Sequence, residues 1–413
     1  MSQILTINTG SSSLKVGVYE DGRGEAMVLS GEVARIGEAA GRLRLSDASG
    51  KLLLDREGAF ADHGAALEGV LGWLKSERSD LAVGAVGHRV VQGGPHHCEP
   101  ERITPELITA LKDLVPIAPD HLPQAIRTIE VAARANPNLP QVACFDTAFH
   151  RHMPRVARMY PLPRRLCAPE GRDVKDSGAG GLVRSGFHGL SYESILHQLG
   201  TIAPAEASGR VIIAHLGSGA SMAAVRGGIG IDTTMGFTPA GGLMMGTRPG
   251  DLDPGVMLYL MFQPPPGMRP AALGKMINHE SGLLGVSGIS GDMRSLLDQE
   301  SNEAHAAEAI ALFCYLARKQ LGALTTPLGG LDTLIFTGGI GMRSAPIRAR
   351  ICEGLGYLGI RIDPERNDAR APVISPEAAP TTVRVLRTNE NLMIARHTRE
   401  LLTNTVGTHF DRS

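Results

Sequence analysis

Several polar side chains stand at the ends of apolar runs, where a fold can hold a reactive group still. His88 and Arg89 lie inside Val86–Val91. Asp146 closes Val142–Phe145. His188 sits in Gly-Phe-His-Gly, and Arg248 in Gly-Thr-Arg-Pro-Gly-Asp. Asp292 and Arg294 follow the run SGLLGVSGISG. Taken singly, each reads more readily as a surface ion pair or a satisfied core polar group. Taken together beside glycines, they read as a site. A planar guanidinium matches phosphoryl and carboxylate oxygens through its fork of donors.

Two tips rich in glycine and serine add to this. Asn8-Thr9-Gly10-Ser11-Ser12-Ser13 and His215-Leu216-Gly217-Ser218-Gly219 each follow an apolar strand pattern. Glycine lets backbone N–H groups converge on an anion, and serine adds a short hydroxyl donor. Lys15 supplies a charge five residues after Gly10. The competing reading is a pair of ordinary hairpin turns.

Composition limits what such a site can serve. The 413 residues include 41 basic and 42 acidic side chains, a formal net charge of −1. No global field would draw nucleic acid or an anionic membrane, so an anion site must be local. Glycine is the outlier, 51 of 413 residues against a typical ~7%. Cys98, Cys144, Cys167, Cys314 and Cys352 are odd in number and contain no C-x-x-C pair. A reducing cytoplasm is therefore expected, without a disulfide framework or zinc site. The N-terminus lacks a signal-peptide pattern, and no apolar run approaches a membrane span. A Walker loop, a protein-kinase signature and H-E-x-x-H are all missing. His96-His97-Cys98 reads as a solvated loop, since adjacent residues rarely converge on one metal.

These groups need elements to position them. Gln3–Asn8 and Leu14–Tyr19 read as strands of a hairpin, and Leu81–Val91 as a further apolar run. Thr104-Pro105-Glu106 starts a helix, with Leu107, Leu111 and Leu114 on one face. A second helix starts near Asp120–Pro123. Leu139–Phe145, Val211–Ala214 and Thr333–Thr337 read as strands, and Ala304–Leu324 as the longest helix. Loops are expected at 163–186 and Gln263–Pro270. Asp363–Pro380 is polar and proline-rich, and a final helix starts at Asn389.

Two stretches resemble each other. ILTINTGSSSLKVGV and VIIAHLGSGASMAAV align with Ile4 on Val211, Gly10 on Gly217 and Val18 on Val225, an offset of 207 residues. Self-similarity at half the chain length implies a duplicated domain. The alternative is that two β-hairpins align this well by composition.

Eleven segments, in order from residue 7 to 396, give the chain a resemblance to the acetate kinase family of the acetate and sugar kinase, Hsp70 and actin superfamily. They are INTGSSSLK, HRVVQGG, APDHLP, FDTAFH, GFHGLS, HLGSGAS, MGFTP, GLMMGTRPGDLDPG, GLLGVSGISGDMR, FTGGIG and NENLMIAR. The resemblance implies an α/β, duplicated actin-like (ribonuclease H-like) two-lobe fold with an interdomain cleft. Residues 1–149 plus 387–413 would form one lobe and 150–386 the nucleotide-binding lobe. The implied reaction is reversible, ATP plus acetate giving ADP plus acetyl phosphate, with Mg²⁺ (or Mn²⁺) and a cytoplasmic homodimer. A propionate- or butyrate-type kinase, or a catalytically weak actin-like nucleotide-binding protein, are the alternatives.

Residue by residue, the resemblance makes Arg89, Asp146, His188 and Arg248 catalytic. Arg89, Val91, Asp120, His121, Phe187 and Pro239 would line the acyl pocket. Asn8, Ser11, Ser13 and Lys15 match the first phosphate loop. His215, Gly217, Ser218 and Gly219 match the second. Asp292, Met293 and Arg294, with Gly339, Ile340 and Gly341, would hold ATP. Asn8 and Glu390 would be on the metal side. The chain departs from the family pattern at Pro95, Ser218, Met342-Arg343 and Asp120. The last stands where the family has a leucine beside the acyl methyl. An unpaired carboxylate would be costly to bury there. Asp120 therefore turns away as a helix cap, pairs with a cation such as Arg89, or adapts the pocket to a more polar acid.

Overall fold

The computed structural model describes residues 3–22, 25–167, 181–263 and 267–407, with side chains as far as 403. Residues 168–180 of the expected loop at 163–186 lie outside these, as do residues 264–266 of the loop Gln263–Pro270. The chain divides into two compact units, Met1–Phe149 with Asn389–Ser413, and His150–Thr388.

The first unit is built on β1 (Gln3–Thr9), β2 (Ser13–Glu20), β3 (Met27–Ala34), β4 (Gly41–Asp47), β5 (Leu52–Gly58), β6 (Val83–Val90), β7 (Glu101–Arg102) and β8 (Gln141–Phe145). Their order in the sheet is β5-β4-β3-β2-β1-β6-β8-β7. Alternating aliphatic residues such as Val16, Val18, Leu29, Val33, Leu43 and Leu45 turn one face inward. Helix His63–Glu77 covers them with Leu67, Val70 and Leu74. Asp62 caps this helix by accepting from the Ala65 N–H at 2.8 Å, and Thr104 caps Pro105–Asp113 by accepting from Leu107 N–H. Full burial of one such aliphatic side chain is worth about 1.5–3 kcal/mol.

The second unit carries β9 (Arg210–Leu216), β10 (Ala220–Arg226), β11 (Ile229–Thr233), β12 (Thr333–Thr337) and β13 (Thr382–Val385), in the order β11-β10-β9-β12-β13. Pairing along this sheet is antiparallel, antiparallel, parallel, parallel. The series β3-β2-β1-β6-β8 in the first unit has the same order and the same four pairing senses. The duplication expected from the 207-residue offset is therefore present in the topology, with β1 and β2 corresponding to β9 and β10. Helix Ala304–Leu328 lies against β9, β10 and β11 and, at 25 residues, is the longest among the described residues.

One local expectation needs correction. Asp120 does not cap the helix after it. That helix runs Leu122–Ala135, and its N-cap is His121, without a side-chain capping bond. The polar stretch Asp363–Pro380 also holds a short helix, Pro364–Asp368, capped by Asp363.

Candidate active site

In the first unit the site is built at the ends of β1, β6 and β8. Register places His88 beside Ile7, and Arg89 beside Cys144. Gly87 and Arg89 point to one face because side chains alternate along a strand. Helix Glu390–Gly407 packs on that face. A Cβ at Gly87 would meet Thr398 Oγ1 at 2.3 Å and Ile394 Cγ2 at 2.6 Å. Glu390, Ile394 and Thr398 follow the helical spacing of four, so the helix that presses on Gly87 delivers Glu390 to the strand end.

Four polar groups meet there. Arg89 Nη2 and Nε donate to Asp146 Oδ2 at 2.5 and 3.0 Å. Arg89 Nη1 donates to Asn8 Oδ1 at 3.2 Å, and Asn8 Nδ2 donates to Glu390 Oε2 at 2.7 Å. The Arg89 and Asp146 side chains are 13% and 1% exposed. Burial opposes the charge on Arg89, but Asp146 and Glu390 more than offset it and raise its pKa above the ordinary value. The guanidinium is thus fixed in place and fixed in charge. Lys15 and Ser11 lie exposed at the β1–β2 tip, and Ser13 is half-buried. Val91 is buried, while Asp120 and His121 are half-buried before their helix.

In the second unit, β9 and β10 bring His215 and Ser221 opposite each other. His188 precedes helix Gly189–Ile202 in a left-handed conformation, φ 59°. Its ring stacks on His215 with centroids 4.3 Å apart. Each ring is held at Nδ1 by a serine, His188 by Ser221 Oγ and His215 by Ser191 Oγ, both at 2.8 Å. Tyr192 Oη bonds the same Ser221 Oγ. A Cβ at Gly219 would lie 2.9 Å from Arg248 Nη2 and 3.4 Å from His188 Nε2. Two nitrogens therefore converge beside the tip, and glycine leaves the space open. Arg248 is braced by its Nη1, which donates to Pro239 O at 2.5 Å.

Glycine also lets neighbouring loops close on this tip. Gly246 N–H donates to Ser218 O at 3.0 Å, and a Cβ on Gly246 would meet Gly291 O at 3.0 Å. Asp292 has a structural role: it caps helix Met293–Gln299 by accepting from Ser295 N–H at 2.9 Å. Met293 is buried and Arg294 exposed. Gly339, Ile340 and Gly341 form helix Gly338–Arg343 directly after β12. Arg348, fully buried, holds the end of that helix through Gly341 O and Met342 O at 2.9 and 3.0 Å. Phe187 is buried and Pro239 half-buried.

Sequence reasoning missed Ser191, Tyr192, Ser221 and His150. Ser221 lay within a matched segment, and its register opposite His215 is the signal that identifies it. His150 is buried and bonds Phe187 O through Nε2 at 3.1 Å. Gly186, at φ 67°, passes so close that a Cβ would sit 2.5 Å from the His150 ring. This holds the backbone just before His188.

His88 and His150 also set acid sensitivity. Burial pushes each from 6.5 down to about 4, against the opposing effect of the bonds that His88 donates to Gln141 Oε1 and His150 donates to Phe187 O. Above pH 6.5 both rings are neutral, folded or unfolded. Between about 6.5 and 4 the unfolded chain takes up protons that the folded chain refuses, so stability falls with pH. Unfolding free energy at pH 5 should be lower than at pH 7 by roughly 2 kcal/mol per ring. Urea midpoints at the two pH values check this, and equal midpoints would refute it.

Comparison with known proteins places the chain. The model of the acetokinase family matches residues 3–396. A protein called acetate kinase from Methylocella silvestris is 42% identical over 409 residues, covering 97% of this chain and 98% of that one. An acetate kinase from Nitrobacter hamburgensis is 43% identical, covering 97% and 96%. Among solved structures, Porphyromonas gingivalis acetate kinase superposes with a TM-score of 0.82 at 34% identity. A propionate kinase from Francisella tularensis subsp. tularensis gives 0.86 at 32% identity. Both cover 97% of this chain and 100% of their own.

Proposed function

The chain belongs to the acetokinase family, and from that premise we propose that it transfers the terminal phosphoryl group of ATP to acetate, reversibly. The observation that carries the reading is the convergence of Arg248 Nη2 and His188 Nε2 on one point beside Gly219. Cationic and hydrogen-bonding nitrogens aimed at one place suit the oxygens of a transferring phosphoryl group.

The step is a direct in-line displacement. A carboxylate oxygen of acetate attacks the γ-phosphorus. An O–P bond forms to give acetyl phosphate, and the bond from the γ-phosphorus to the bridging oxygen breaks to release ADP. Acetate is ionised at neutral pH, as carboxylates are, so no strong general base is required. Arg89, oriented by Asp146 and Asn8, holds acyl or phosphoryl oxygens. His188 and Arg248 hold the equatorial oxygens as charge spreads over them. The glycine tips at 10–13 and 217–219 and the helix start at 339–341 bind the nucleotide phosphates and adenosine, with Asp292, Met293 and Arg294.

Mg²⁺ fits the residues present. Glu390 and Asp146 offer hard carboxylate oxygens with the Asn8 amide between Arg89 and Glu390, the donor chemistry that this ion takes together with substrate phosphates. Bound there, it would neutralise phosphate charge. Among the described residues no group of three or more His, Cys, Asp or Glu is placed to hold a metal ion.

A homodimer is part of the same proposal. Helix Pro254–Phe262 buries none of its residues, and Tyr259 and Phe262 are 67% and 77% exposed. An apolar face of this kind marks an interaction surface. Sedimentation at micromolar concentration tests it, and a monomer would remove this reading. No helix among the described residues is long and apolar enough to cross a membrane. A cytoplasmic location is proposed, and cell fractionation checks it.

Acyl preference turns on Asp120. ATP-dependent hydroxamate formation with acetate, propionate, butyrate and glycolate separates the carboxylate-kinase readings. If Asp120 makes the acyl site polar, Asp120→Leu should shift preference toward propionate and away from glycolate by about 10-fold, the worth of a methylene or hydroxyl contact. An unchanged ranking would show that Asp120 lies away from the acyl group.

A further inference from the structure

The reactive face of a histidine depends on which ring nitrogen carries the proton, and the bond at the other nitrogen decides that. His188 offers Nε2 toward the point beside Gly219 and engages Ser221 through Nδ1. Ser221 has one proton to give and is bonded on its other side by the Tyr192 hydroxyl. Both Tyr192 and Ser221 are fully buried. A phenol is the stronger acid of the two hydroxyls, so it donates, and the serine proton is directed onward.

We propose that Tyr192 and Ser221 are positioning residues that fix His188 as the tautomer protonated on Nε2. The order is Tyr192 O–H to Ser221 Oγ, then Ser221 O–H to His188 Nδ1. This leaves a neutral Nε2–H donor for a phosphoryl oxygen. The proposal rests on the reading of His188 as a phosphoryl-contacting group.

Three features of the fold support the relay. Ser221 sits on β10 directly opposite His215 on β9, so strand register fixes its place. Tyr192 lies on the first turns of the helix that His188 itself precedes. One helix start therefore carries both ends of the relay, and the strand supplies its middle. His215 stacks on the His188 ring and is held at its own Nδ1 by Ser191, three residues after His188. The ring is thus fixed in its plane by stacking and about its axis by Ser221. The left-handed backbone at His188 aims the ring at Ser221 instead of continuing the helix. A neutral donor also suits the site: the Arg248 guanidinium already brings a full charge to the same point, and a second one would repel it.

The test is a double-mutant cycle on kcat. Ser221→Ala should lower kcat by roughly 10- to 100-fold, the cost of leaving a buried ring nitrogen without its donor. KM for ATP and for acetate should stay within about 2-fold, because the relay acts through the transition state. Tyr192→Phe, nearly isosteric, should lower kcat by a smaller factor in the same pattern. In a His188→Ala background neither change should cost anything further, since both act through that ring. ¹⁵N NMR of the histidines should show the Nε2–H form of His188 in the wild type and a mixture in Ser221→Ala. Full activity of both single variants would overturn the proposal. So would losses that multiply in the His188→Ala background, which is the mark of a purely structural role. Should Ser221→Ala not fold, Tyr192→Phe carries the same cycle. A fully active His188→Ala protein removes the reading of His188 itself, a result distinct from failure of the relay.

Discussion

Arg248→Ala should lower kcat by about 10³- to 10⁵-fold, or roughly 4–7 kcal/mol of transition-state stabilisation. Its guanidinium is braced by Pro239 O and reaches the same point as His188 Nε2. Alanine removes the charge and the fork together. Arg248→Lys restores charge without the planar fork and should recover little, because a point charge cannot match two oxygens at once. The protein should still fold: Arg248 is half-buried, and the loop around it is held by backbone bonds such as Met245 N–H to Arg248 O at 2.9 Å. Steady-state kinetics with a thermal unfolding control separate the two effects. A lysine variant within a few-fold of wild type would contradict the role given to the fork.

Asp146→Ala should damage stability as well as catalysis. It leaves Arg89 with its charge held in a place that is 13% exposed. Breaking a buried pair from one side costs about 3–5 kcal/mol. Glu390 also favours the charge on Arg89, which puts the expected loss near the lower end. The double variant Arg89→Met/Asp146→Leu removes both charges and should regain most of the stability with none of the activity. Denaturant unfolding and turnover, measured on the same preparations, resolve the two losses. If the double variant is as unstable as Asp146→Ala, the pair is not what makes the single change costly.

Much of the fold follows from local signals in the sequence. The hairpins β1–β2 and β9–β10 appear where apolar strand patterns meet glycine-serine tips. Their 207-residue offset corresponds to equivalent positions in two sheets of the same order. Strands β3 to β5 had no such signal. The outermost, β5, exposes most of its side chains, so alternation of apolar and polar residues is faint there. The polar groups of the site were visible one by one because they end apolar runs. Their grouping was not visible. Arg89 meets Asp146 only through the parallel register of β6 and β8, and Glu390 joins them only because its helix packs against Gly87. Ser221 and Tyr192 carry no functional signal of their own in the sequence, since a buried hydroxyl reveals its partner only once strand and helix are set side by side. Asp292 shows the opposite case. It stands among residues expected to bind nucleotide, yet its visible work is to cap a helix.

The central claim is phosphoryl transfer from ATP to a short carboxylate. The most direct measurement is ³¹P NMR of the purified protein incubated with ATP, Mg²⁺ and acetate. Acetyl phosphate and ADP should appear in equal amounts, and acetyl phosphate with ADP should regenerate ATP. Release of inorganic phosphate at a rate indifferent to acetate, or no turnover with any two- to four-carbon acid, would contradict it.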